Sequence, residues 1–463
     1  MLILVKNVTT VAGLNRIQKD TLYNNLSIPN PKYIQAVGQG RPSYWIPQKL
    51  TYALEEGGRV TIPVGYTEEL TKLFACTPED IVDVRTEGTP MTGIQFKGTL
   101  RPYQQQVIDT MSGKTLGVVC APTGSGKSVV IVNHIVKSGH PTLILVNTIE
   151  LMNQMIDNVV KFTNIKKEAV GILGNGEWKI RPITVATLQT MTKLSEDKYK
   201  LLNEIFGQII TDEVHIVAAE SFYSVLQRLN AKYKWGFSAT PKRDDSLTPV
   251  IFWATGPLIH EVSLSSIKDK LVIPTIRQIK TDYYFPLFNS DEYIAMVNDL
   301  CEDKDRNKLI LDTVDEYKDK QIVILTQRVT HAVQLCEGLR NKNYEAEYLV
   351  SRLPHPDKPG KFKAMNKKTR EKIIETLNSG MTRIVCSTFG LFSTGIDISG
   401  LEILFIAAPT RSEIKLKQSL GRIFRKAAFE KSPVVVDFLD HKVDLLKSQG
   451  YARNRIYKYL KEI

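Results

Sequence analysis

Residues 121–128, Ala-Pro-Thr-Gly-Ser-Gly-Lys-Ser, lie between two apolar segments and constrain the fold more than any other stretch of the chain. The short, β-branched run 116–120 before them predicts a buried strand. Residues 129–136 after them predict a helix, which Gly139 and Pro141 end. Strand, glycine-bearing loop and helix in this order are the context that a phosphate-binding loop requires. The sequence therefore predicts an α/β fold built around such a loop.

The loop predicts a site for a nucleoside triphosphate with Mg²⁺. Gly124 and Gly126 let backbone N–H groups curl around an anion, and the following helix N-terminus favours negative charge. We expect Lys127 to reach the β- and γ-phosphates and the Ser128 hydroxyl to hold Mg²⁺. Ala121 stands where the usual pattern has a glycine, and the alternative is a Gly/Ser turn before a lysine. The predicted nucleotide-binding residues of the loop are Pro122, Thr123, Gly124, Ser125, Gly126, Lys127 and Ser128.

Chain length, apolar content, cysteine spacing and net charge limit which class of protein this can be. A chain of 463 residues predicts about two or three domains, and no apolar run approaches the ~18 residues that suggest a membrane span. The five cysteines are widely spaced without a C-x-x-C pair, which predicts free thiols, no zinc and a reducing, cytoplasmic location. The net charge of +12 favours a polyanionic partner.

Residues 1–97 differ from the rest, since short β-rich runs alternate with turn signals and predict a small α+β domain. Ten Lys/Arg against nine Asp/Glu show that the segment is not a basic tail. Three aromatic residues, Tyr33, Tyr44 and Trp45, lie among three cationic residues, Lys32, Arg41 and Lys49. They form either a base-stacking surface or part of the domain core, and we favour the core.

Repeated strand-then-helix units follow from residue 98, the pattern of a parallel α/β sheet. We expect a first such domain at 98–268 and a second at 269–463, with 264–284 as the connection. The second series lacks a phosphate loop, so it must complete the first site or grip the partner. It contains Gly390, Gly395 and a carboxylate within 388–397, a composition suited to a loop pressed against a ligand.

Two further clusters carry candidate chemistry. A predicted strand ends in Asp212-Glu-Val-His215, at the sheet edge where the phosphate loop also lies. Asp212 would then coordinate Mg²⁺ and Glu213 would position the attacking water; the alternative is an acidic surface turn. Residues 418–425 place Arg422 and Arg425 on one helix face, where they either neutralise the γ-phosphate or are simply solvated.

The stretch 351–370 holds seven Lys/Arg against one Asp, and its Pro and Gly content predicts a loop. We favour a nucleic-acid phosphate contact over a merely solvated loop. The candidate residues are Arg352, Lys361, Lys363, Lys367 and Lys368. The tail 442–463, which includes Arg453 and Arg455, is either a nucleic-acid-tracking helix or a capping helix.

In this order the motifs resemble those of a superfamily 2 helicase with two RecA-like domains. Residues 100–104 resemble the adenine-side motif, 121–128 motif I, 145–154 motif Ia, 185–190 a further phosphate-contacting motif, 212–215 motif II and 238–240 motif III. Residues 322–327 resemble motif IV, 387–397 motif V and 418–425 the QxxGRxxR form of motif VI. Asn147 replaces the usual proline of motif Ia, and Val214 stands where many relatives carry alanine.

The resemblance implies roles for residues that spacing alone leaves open. It implies nucleotide contacts for Arg101, Gln104, Gly395 and Asp397, and catalytic roles for Lys127, Asp212, Glu213, Gln418, Arg422 and Arg425. It implies that His215, Ser238 and Thr240 couple hydrolysis to movement, and that Thr148, Thr187 and Thr388 contact nucleic acid.

Within the superfamily, residues 239–245 look like the XPB-type DNA branch, and the whole chain is similar to branch-migration helicases of tailed bacteriophages. This likeness implies an ATP- and Mg²⁺-dependent monomer that translocates on branched DNA in the host cytoplasm during replication, recombination or repair. An RNA helicase remains an alternative, as does a nucleotide-switched clamp without productive unwinding. A restriction-type translocase is disfavoured because the chain has little room for a nuclease domain.

Overall fold

The computed structural model describes residues 1–38, 40–243, 245–270, 272–286, 292–355, 362–393, 398, 401–410, 412–423 and 433–461. For 268–270, 367, 393, 414, 422 and 459–461 it describes the backbone alone. The chain divides into two compact units, Met1–Ser263 and Leu264–Ile463. The division lies close to the predicted boundary at residue 268.

The first unit begins with a small α+β segment. Its elements are β1 (Leu2–Val5), β2 (Val8–Ala12), α1 (Arg16–Asn25), β3 (Ser27–Pro29), α2 (Pro31–Gly38), β4 (Lys49–Thr51), β5 (Leu54–Glu56), β6 (Arg59–Pro63), α3 (Thr67–Leu73) and β7 (Ile81–Asp83). One sheet has the order β5-β6-β2-β1-β7, and β3 pairs with β4 in a separate antiparallel ribbon. Alternate residues of β2 and β6 are buried, as expected for a sheet with one covered face.

The rest of the first unit is a parallel sheet flanked by helices. Its elements are α4 (Pro102–Met111), β8 (Leu116–Cys120), α5 (Lys127–Ser138), β9 (Thr142–Val146), α6 (Ile149–Phe162), β10 (Gly171–Gly174), β11 (Glu177–Lys179), β12 (Ile183–Thr187), α7 (Leu188–Met191), α8 (Glu196–Ile205), β13 (Gln208–Asp212), α9 (Glu220–Arg228), β14 (Tyr233–Ser238), α10 (Thr248–Thr255) and β15 (Leu258–Glu261). The strand order is β11-β10-β12-β9-β13-β14-β8-β15, and β11 is antiparallel to its neighbour.

This topology positions the candidate site. Strands β13, β14 and β8 are adjacent and parallel, so their carboxyl ends meet at one edge of the sheet. The phosphate loop follows β8, Asp212 ends β13 and Ser238 ends β14. The strand predicted at 116–120 and the helix predicted after the loop are confirmed as β8 and α5. Sheets of this kind bind ligands at that edge.

The N-terminal segment and the parallel sheet share one buried apolar cluster, which includes Ile3, Val11, Val118 and Leu143. The two parts approach so closely that a Cβ added to Gly65 would lie 2.3 Å from the carbonyl oxygen of Phe252 in α10. The expectation that Tyr44 and Trp45 fill this core is wrong, since both side chains are exposed.

The second unit contains a parallel sheet of order β16-β23-β22-β17-β21-β18. Its elements are β16 (Thr275–Lys280), α11 (Tyr293–Glu302), α12 (Lys304–Val314), β17 (Ile322–Thr326), α13 (Val329–Asn341), β18 (Ala346–Leu349), β19 (Arg352–Pro354), β20 (Phe362–Ala364), α14 (Lys367–Asn378), β21 (Ile384–Thr388), α15 (Phe389–Ser393), β22 (Ile403–Ile406), α16 (Glu413–Ile423), β23 (Val434–Leu439) and α17 (Asp444–Lys461). The stretch 264–284 is therefore more than a connection, because β16 within it pairs with β23.

The C-terminal tail contains α17, which packs on the sheet of the second unit through Arg453 and Tyr457. Arg453 of α17 is buried, and its Nε lies 3.0 Å from both carboxylate oxygens of Asp437 in β23. The Tyr457 hydroxyl donates to the same carboxylate at 3.1 Å. These contacts decide between the two sequence interpretations for Arg453 and Tyr457, since both face the sheet of their own unit.

Candidate active site

The phosphate loop turns sharply before α5. Gly124 and Gly126 have φ values of +86° and +80°, in the left-handed region that a side chain disfavours. Gly126 precedes α5, and a Cβ there would lie 2.6 Å from Gln104 Nε2. The Ala121 amide donates to the Ser238 carbonyl at 2.9 Å, which ties the loop to the end of β14. The loop is thus fixed at both ends with its N–H groups at the helix N-terminus.

Lys127 and Glu213 form an ion pair across the edge of the sheet, with Nζ 3.2 Å from Oε1. Burial lowers the pKa of the Lys127 ammonium, but the charges of Glu213 and Asp212 outweigh it, so the pKa is raised and the lysine stays charged. A charged lysine at this position suits a ligand that carries several negative charges.

The neighbouring carboxyl groups differ in their protonation equilibria. Burial raises the pKa of Asp212 to about 6, and the nearby charge of Glu213 adds to the effect. Burial acts in the same direction on Glu213, but Lys127 and the hydrogen bond from His215 lower its pKa well below the usual range. Glu213 is therefore ionised at neutral pH and able to accept a hydrogen bond from water.

Ser238 connects Glu213 to the end of β14. Its hydroxyl lies 3.3 Å from Glu213 Oε2 and 3.0 Å from His215 Nδ1, and it accepts the Thr240 amide at 3.1 Å. His215 Nδ1 also lies 3.3 Å from Glu213 Oε2. The three residues predicted to couple hydrolysis to movement thus lie in one hydrogen-bond network with Glu213, although the coupling itself stays a prediction.

Gln104 donates a hydrogen bond to the phosphate loop, and Arg101 in turn contacts Gln104 and Tyr103. Gln104 is buried; its Oε1 accepts the Arg101 amide at 3.0 Å and its Nε2 donates to the Ser125 carbonyl at 2.9 Å. The Tyr103 hydroxyl donates to the same carbonyl at 2.9 Å and accepts from the Arg101 guanidinium at 3.0 Å. Sequence reasoning missed Tyr103; its position between Arg101 and Gln104 was the available signal. Adenine contacts by Gln104 and Arg101 stay predictions.

Arg243 was also missed, although it lies in the stretch 239–245 that the sequence singles out. Its guanidinium donates to the His215 carbonyl at 2.9 Å and pairs with Asp245. Its backbone amide donates to the Thr248 hydroxyl at 2.8 Å, at the start of α10. Arg243 therefore fixes the segment after Ser238 against the turn that carries His215.

Two candidate nucleic-acid residues of the first unit cap helices. The Thr148 hydroxyl accepts the Leu151 amide at 3.2 Å at the start of α6. Thr187 is buried, and its hydroxyl lies 2.8 Å from that of Thr190 in α7. Helix capping occupies both hydroxyls, and nucleic-acid contacts by these threonines stay predictions.

The second unit carries the remaining candidates. Thr388 ends β21 and its hydroxyl accepts the Leu391 amide at 3.4 Å. Gln418 lies half-buried in α16, and Arg422 lies in the same helix, where the structure describes its backbone alone. Gly395, Asp397 and Arg425 lie outside the described residues.

The basic stretch 351–370 contains more regular structure than predicted. Arg352–Pro354 pairs antiparallel with Phe362–Ala364, and the Arg352 guanidinium lies 4.6 Å from the centroid of the Phe362 ring. The described flanks are thus a pair of antiparallel strands and not a loop, because backbone hydrogen bonds join them and Met365 beside them is buried. Lys363 and Lys368 are exposed, Lys367 begins α14, and Lys361 lies outside the described residues.

Comparison with known proteins assigns the family. The family described as the type III restriction enzyme res subunit matches residues 97–243, and the helicase conserved C-terminal domain matches residues 305–427. L396 of Acanthamoeba polyphaga mimivirus, which bears the name of an ATP-dependent RNA helicase, is 30% identical over 98% of this chain and 83% of its own. The chain belongs to the superfamily 2 helicases.

Other members of the helicase superfamily extend the comparison. The DNA 3′-5′ translocase XPB2 of Sulfurisphaera tokodaii is 22% identical over 75% of this chain and 82% of its own. The helicase domain of Pyrococcus furiosus Hef has a similar fold, with a TM-score of 0.50 and 13% identity over 76% of this chain and 98% of that one. The predicted fold of two RecA-like parallel-sheet domains is confirmed. As a helicase, the protein is an ATP-hydrolysing enzyme that binds nucleic acid.

The helicase site suits Mg²⁺ held mainly by the nucleotide. No group of three or more His, Cys, Asp or Glu able to hold a metal occurs in the described part of the chain. Magnesium in such enzymes needs only one or two protein ligands, because phosphate oxygens and water supply the rest. Ser125 Oγ and Thr240 Oγ1 are also buried and have no hydrogen-bond partner within the described ranges. Both hydroxyls are therefore available to bind a ligand or water.

No helix among the described residues has the length and apolar character needed to cross a bilayer. The cysteines Cys76, Cys120, Cys301, Cys336 and Cys386 are all free thiols, as predicted. The monomeric state and the cytoplasmic location stay predictions.

Proposed function

We propose that the protein is an ATP-driven DNA translocase that unwinds or branch-migrates forked and junction DNA. The observation that carries the proposal is the set of contacts joining Lys127, Glu213, Ser238 and His215 at the edge that bears the phosphate loop. A lysine paired with an ionised glutamate beside such a loop suits hydrolysis, whereas mere nucleotide binding has no need of the glutamate.

In this proposal each residue of the edge has one task. The loop residues 122–128 hold the phosphates, with Lys127 at the β- and γ-oxygens. Ser128 and Asp212 hold Mg²⁺, which neutralises charge on the phosphates. Glu213 orients and polarises the attacking water. Arg101 and Gln104 bind the nucleotide at its adenine base.

We assign two tasks to the second unit, neutralising the charge on the γ-phosphate and binding the nucleic-acid strand. Arg422 and Arg425 stabilise the charge on the γ-phosphate, Gln418 orients them, and Gly395 and Asp397 contact the nucleotide. Thr148, Thr187 and Thr388, together with the basic stretch, contact the phosphates of the strand. Contacts of this kind tolerate any sequence, because phosphates carry no base information.

DNA as the substrate is supported by the XPB2 relative, whose name is that of a DNA 3′-5′ translocase, and by the net charge of +12. The second candidate is an RNA helicase, because L396 of the mimivirus bears that name. Repeated closure on ATP and release after hydrolysis moves either kind of motor along its strand.

The first experiment tests hydrolysis itself. Lys127→Ala and Glu213→Gln are each expected to lower kcat by about 100-fold or more, since each removes a charge-stabilising or water-positioning group. Glu213→Gln should still bind a fluorescent ATP analogue, because the loop remains intact. Normal turnover in either variant would refute the assignment. Lys137→Ala, a change at an exposed lysine in α5, serves as the matched control.

The second experiment compares ATPase stimulation by single-stranded DNA, duplex DNA, a four-way junction and structured RNA at equal nucleotide concentration. Strongest stimulation by the junction, with strand-exchange product on a gel, would support the branch-migration motor. Stimulation by RNA alone would favour the RNA helicase. Binding without stimulated turnover on any of them would favour a nucleotide-switched clamp.

A further inference from the structure

The segment between β3 and β4, residues 30–48, is closed at its base by hydrogen bonds of Asn30. Asn30, which is buried, donates its side-chain amide to the Pro47 carbonyl at 2.8 Å and accepts the Lys32 amide at 3.0 Å. Its backbone amide donates to the Gln48 carbonyl at 2.9 Å. The two bonds to Pro47 and Gln48 join the ends of the segment, and the bond from Lys32 fixes its first turn, so we regard the segment as one element.

Two aromatic residues lie at the surface of this element. Tyr44 and Trp45 are 78% and 69% exposed, and their ring centroids are 3.6 Å apart. The other tryptophans are covered to a greater extent: Trp235 and Trp253 are buried, and Trp178 lies under the Lys198 ammonium. Exposing two adjacent large rings forgoes the burial that normally stabilises them, which suits a ligand-binding surface.

The charged residues of this element are all cationic. From residue 21 to residue 54 the chain contains Lys32, Arg41 and Lys49 and lacks any Asp or Glu. All three cations are exposed. Glu220 of α9 lies 4.0 Å from Lys32, but both side chains are largely exposed, and such pairs contribute little. A segment that combines exposed aromatic rings with cations and contains no carboxylate of its own favours a polyanion that also presents flat apolar faces.

The ribbon that carries this element is fixed to the ATP-binding part of the same unit. The Tyr52 ring, one residue beyond β4, packs edge-on against Tyr223 of α9 with the centroids 5.1 Å apart, and it lies tilted against Trp253 of α10 at 5.2 Å. Helix α9 begins shortly after the turn that contains His215. A ligand held by the element is therefore anchored to the unit that hydrolyses ATP.

We propose that Tyr44 and Trp45 form a stacking surface for unpaired bases of single-stranded DNA, with Lys32, Arg41 and Lys49 contacting its phosphates. The inference rests on the proposed function and adds to it a site that distinguishes branch points, where bases are unpaired, from continuous duplex. Stacking accepts every base, because each has a flat π-face. Protein partners would require a complementary apolar surface and would not need the cations.

The test uses the full chain with Tyr44→Ala and Trp45→Ala combined. Because alanine removes the π-face of each ring, the Kd for oligo(dT) is expected to rise by about 10-fold or more, while Kd for blunt duplex stays within about 2-fold. Tyr44→Phe with Trp45→Phe should restore most of the affinity, since rings remain. Tyr284→Ala, at a similarly exposed tyrosine of the second unit, is the control and should change neither Kd. In the parent chain, bound oligo(dT) should also protect Trp45 from acrylamide quenching.

An unchanged Kd for oligo(dT) in the double alanine variant would overturn the stacking surface, as would an equal loss for duplex and single strand. Both results leave the motor intact if the ATPase rate without DNA stays normal, as expected for residues away from the hydrolytic site. Absence of any DNA-stimulated turnover in the parent chain would instead count against the proposed function. Loss of self-association in the variant with unchanged DNA affinity would reassign the surface to a protein contact and overturn the proposal.

Discussion

Glu213 has φ +53° and ψ +51°, a left-handed conformation that costs a non-glycine residue about 1–2 kcal/mol. The contacts of its carboxylate with Lys127 and Ser238 offset this cost. Its backbone amide also donates to Asp212 Oδ1 at 3.0 Å. The strained turn points the side chain of Glu213 back toward the phosphate loop, which an extended backbone after β13 would not do.

The Ser238 hydroxyl gives a residue-scale prediction, because it contacts both Glu213 and His215. Ser238→Ala removes these contacts without touching the phosphate loop. We expect the ATPase rate to fall by less than about 10-fold, while strand displacement per ATP falls by more, since the lost hydroxyl costs about 1–2 kcal/mol of coupling within the network. Parallel ATPase and unwinding assays measure the ratio. A proportional loss of both would contradict a coupling role, and Ser224→Ala in α9 is the control.

Lys234 of β14 gives a pH-dependent prediction. It is fully buried, and burial, aided by Arg85, lowers its pKa to about 7. The folded state then binds fewer protons than the unfolded state above pH 7, so the unfolding free energy rises with pH until the amine is neutral in both states. Between pH 7.5 and 9.5 this rise should be about 2 kcal/mol larger in the parent chain than in Lys234→Met.

Urea unfolding at several pH values, followed by tryptophan fluorescence, measures this pH dependence of the unfolding free energy. The fluorescence reports on the first unit, since it contains all four tryptophans, Trp45, Trp178, Trp235 and Trp253. Identical pH slopes in the parent chain and in Lys234→Met would contradict the prediction. Lys232→Met is the control, because that neighbouring lysine forms an ion pair with Glu87 closer to the surface.

At the scale of elements, α17 depends on a buried ion pair. Arg453 and Asp437 are 2% and 0% exposed as side chains, and Gln278 of β16 also donates to Asp437 at 3.3 Å. Arg453→Met leaves Asp437 as an uncompensated buried charge and should destabilise the second unit by about 3–5 kcal/mol. Calorimetry of the full chain and amide exchange in α17 measure the loss.

The control for this change is Arg455→Met, at an exposed residue of the same helix, which should leave the melting temperature within about 1–2 °C. Adding Asp437→Asn to Arg453→Met should recover part of the stability, because it removes the unpaired charge. Equal effects of Arg453→Met and Arg455→Met would show that burial of the pair is not what holds α17.

At the scale of the whole molecule, charge is unevenly distributed. Residues 351–370 carry a balance of +6, half of the net charge of +12. Changing Lys361, Lys363, Lys367 and Lys368 to Gln should weaken DNA binding and flatten the plot of log K against log salt concentration by about 0.7–0.9 per lost phosphate contact. Binding titrations at several salt concentrations measure the slope. An unchanged slope would show that the basic stretch does not contact DNA phosphates. The control neutralises Lys304, Lys308 and Lys318, which are exposed lysines elsewhere in the unit.

The sequence by itself determined the strand, phosphate loop and helix of the first unit and the parallel α/β class of both units, because apolar periodicity and glycine position are local properties of the chain. It also identified Lys127, Asp212, Glu213 and Ser238, since parallel strands bring their carboxyl ends to one edge whatever the details of packing. Gln418, Arg422 and Arg425 came from the motif pattern, and their role remains a prediction.

Only the tertiary structure decided which ambiguous side chains are buried. An aromatic or a long cationic residue suits either a core or a surface, and the choice depends on neighbours distant in sequence. Tyr44 and Trp45 are exposed in a segment whose ends Asn30 joins, while Arg453 is buried, where Asp437 of β23 pairs with it. The left-handed turn at Glu213 likewise depends on distant partners, Lys127 of α5 and Ser238 of β14, so no local sequence pattern predicts it.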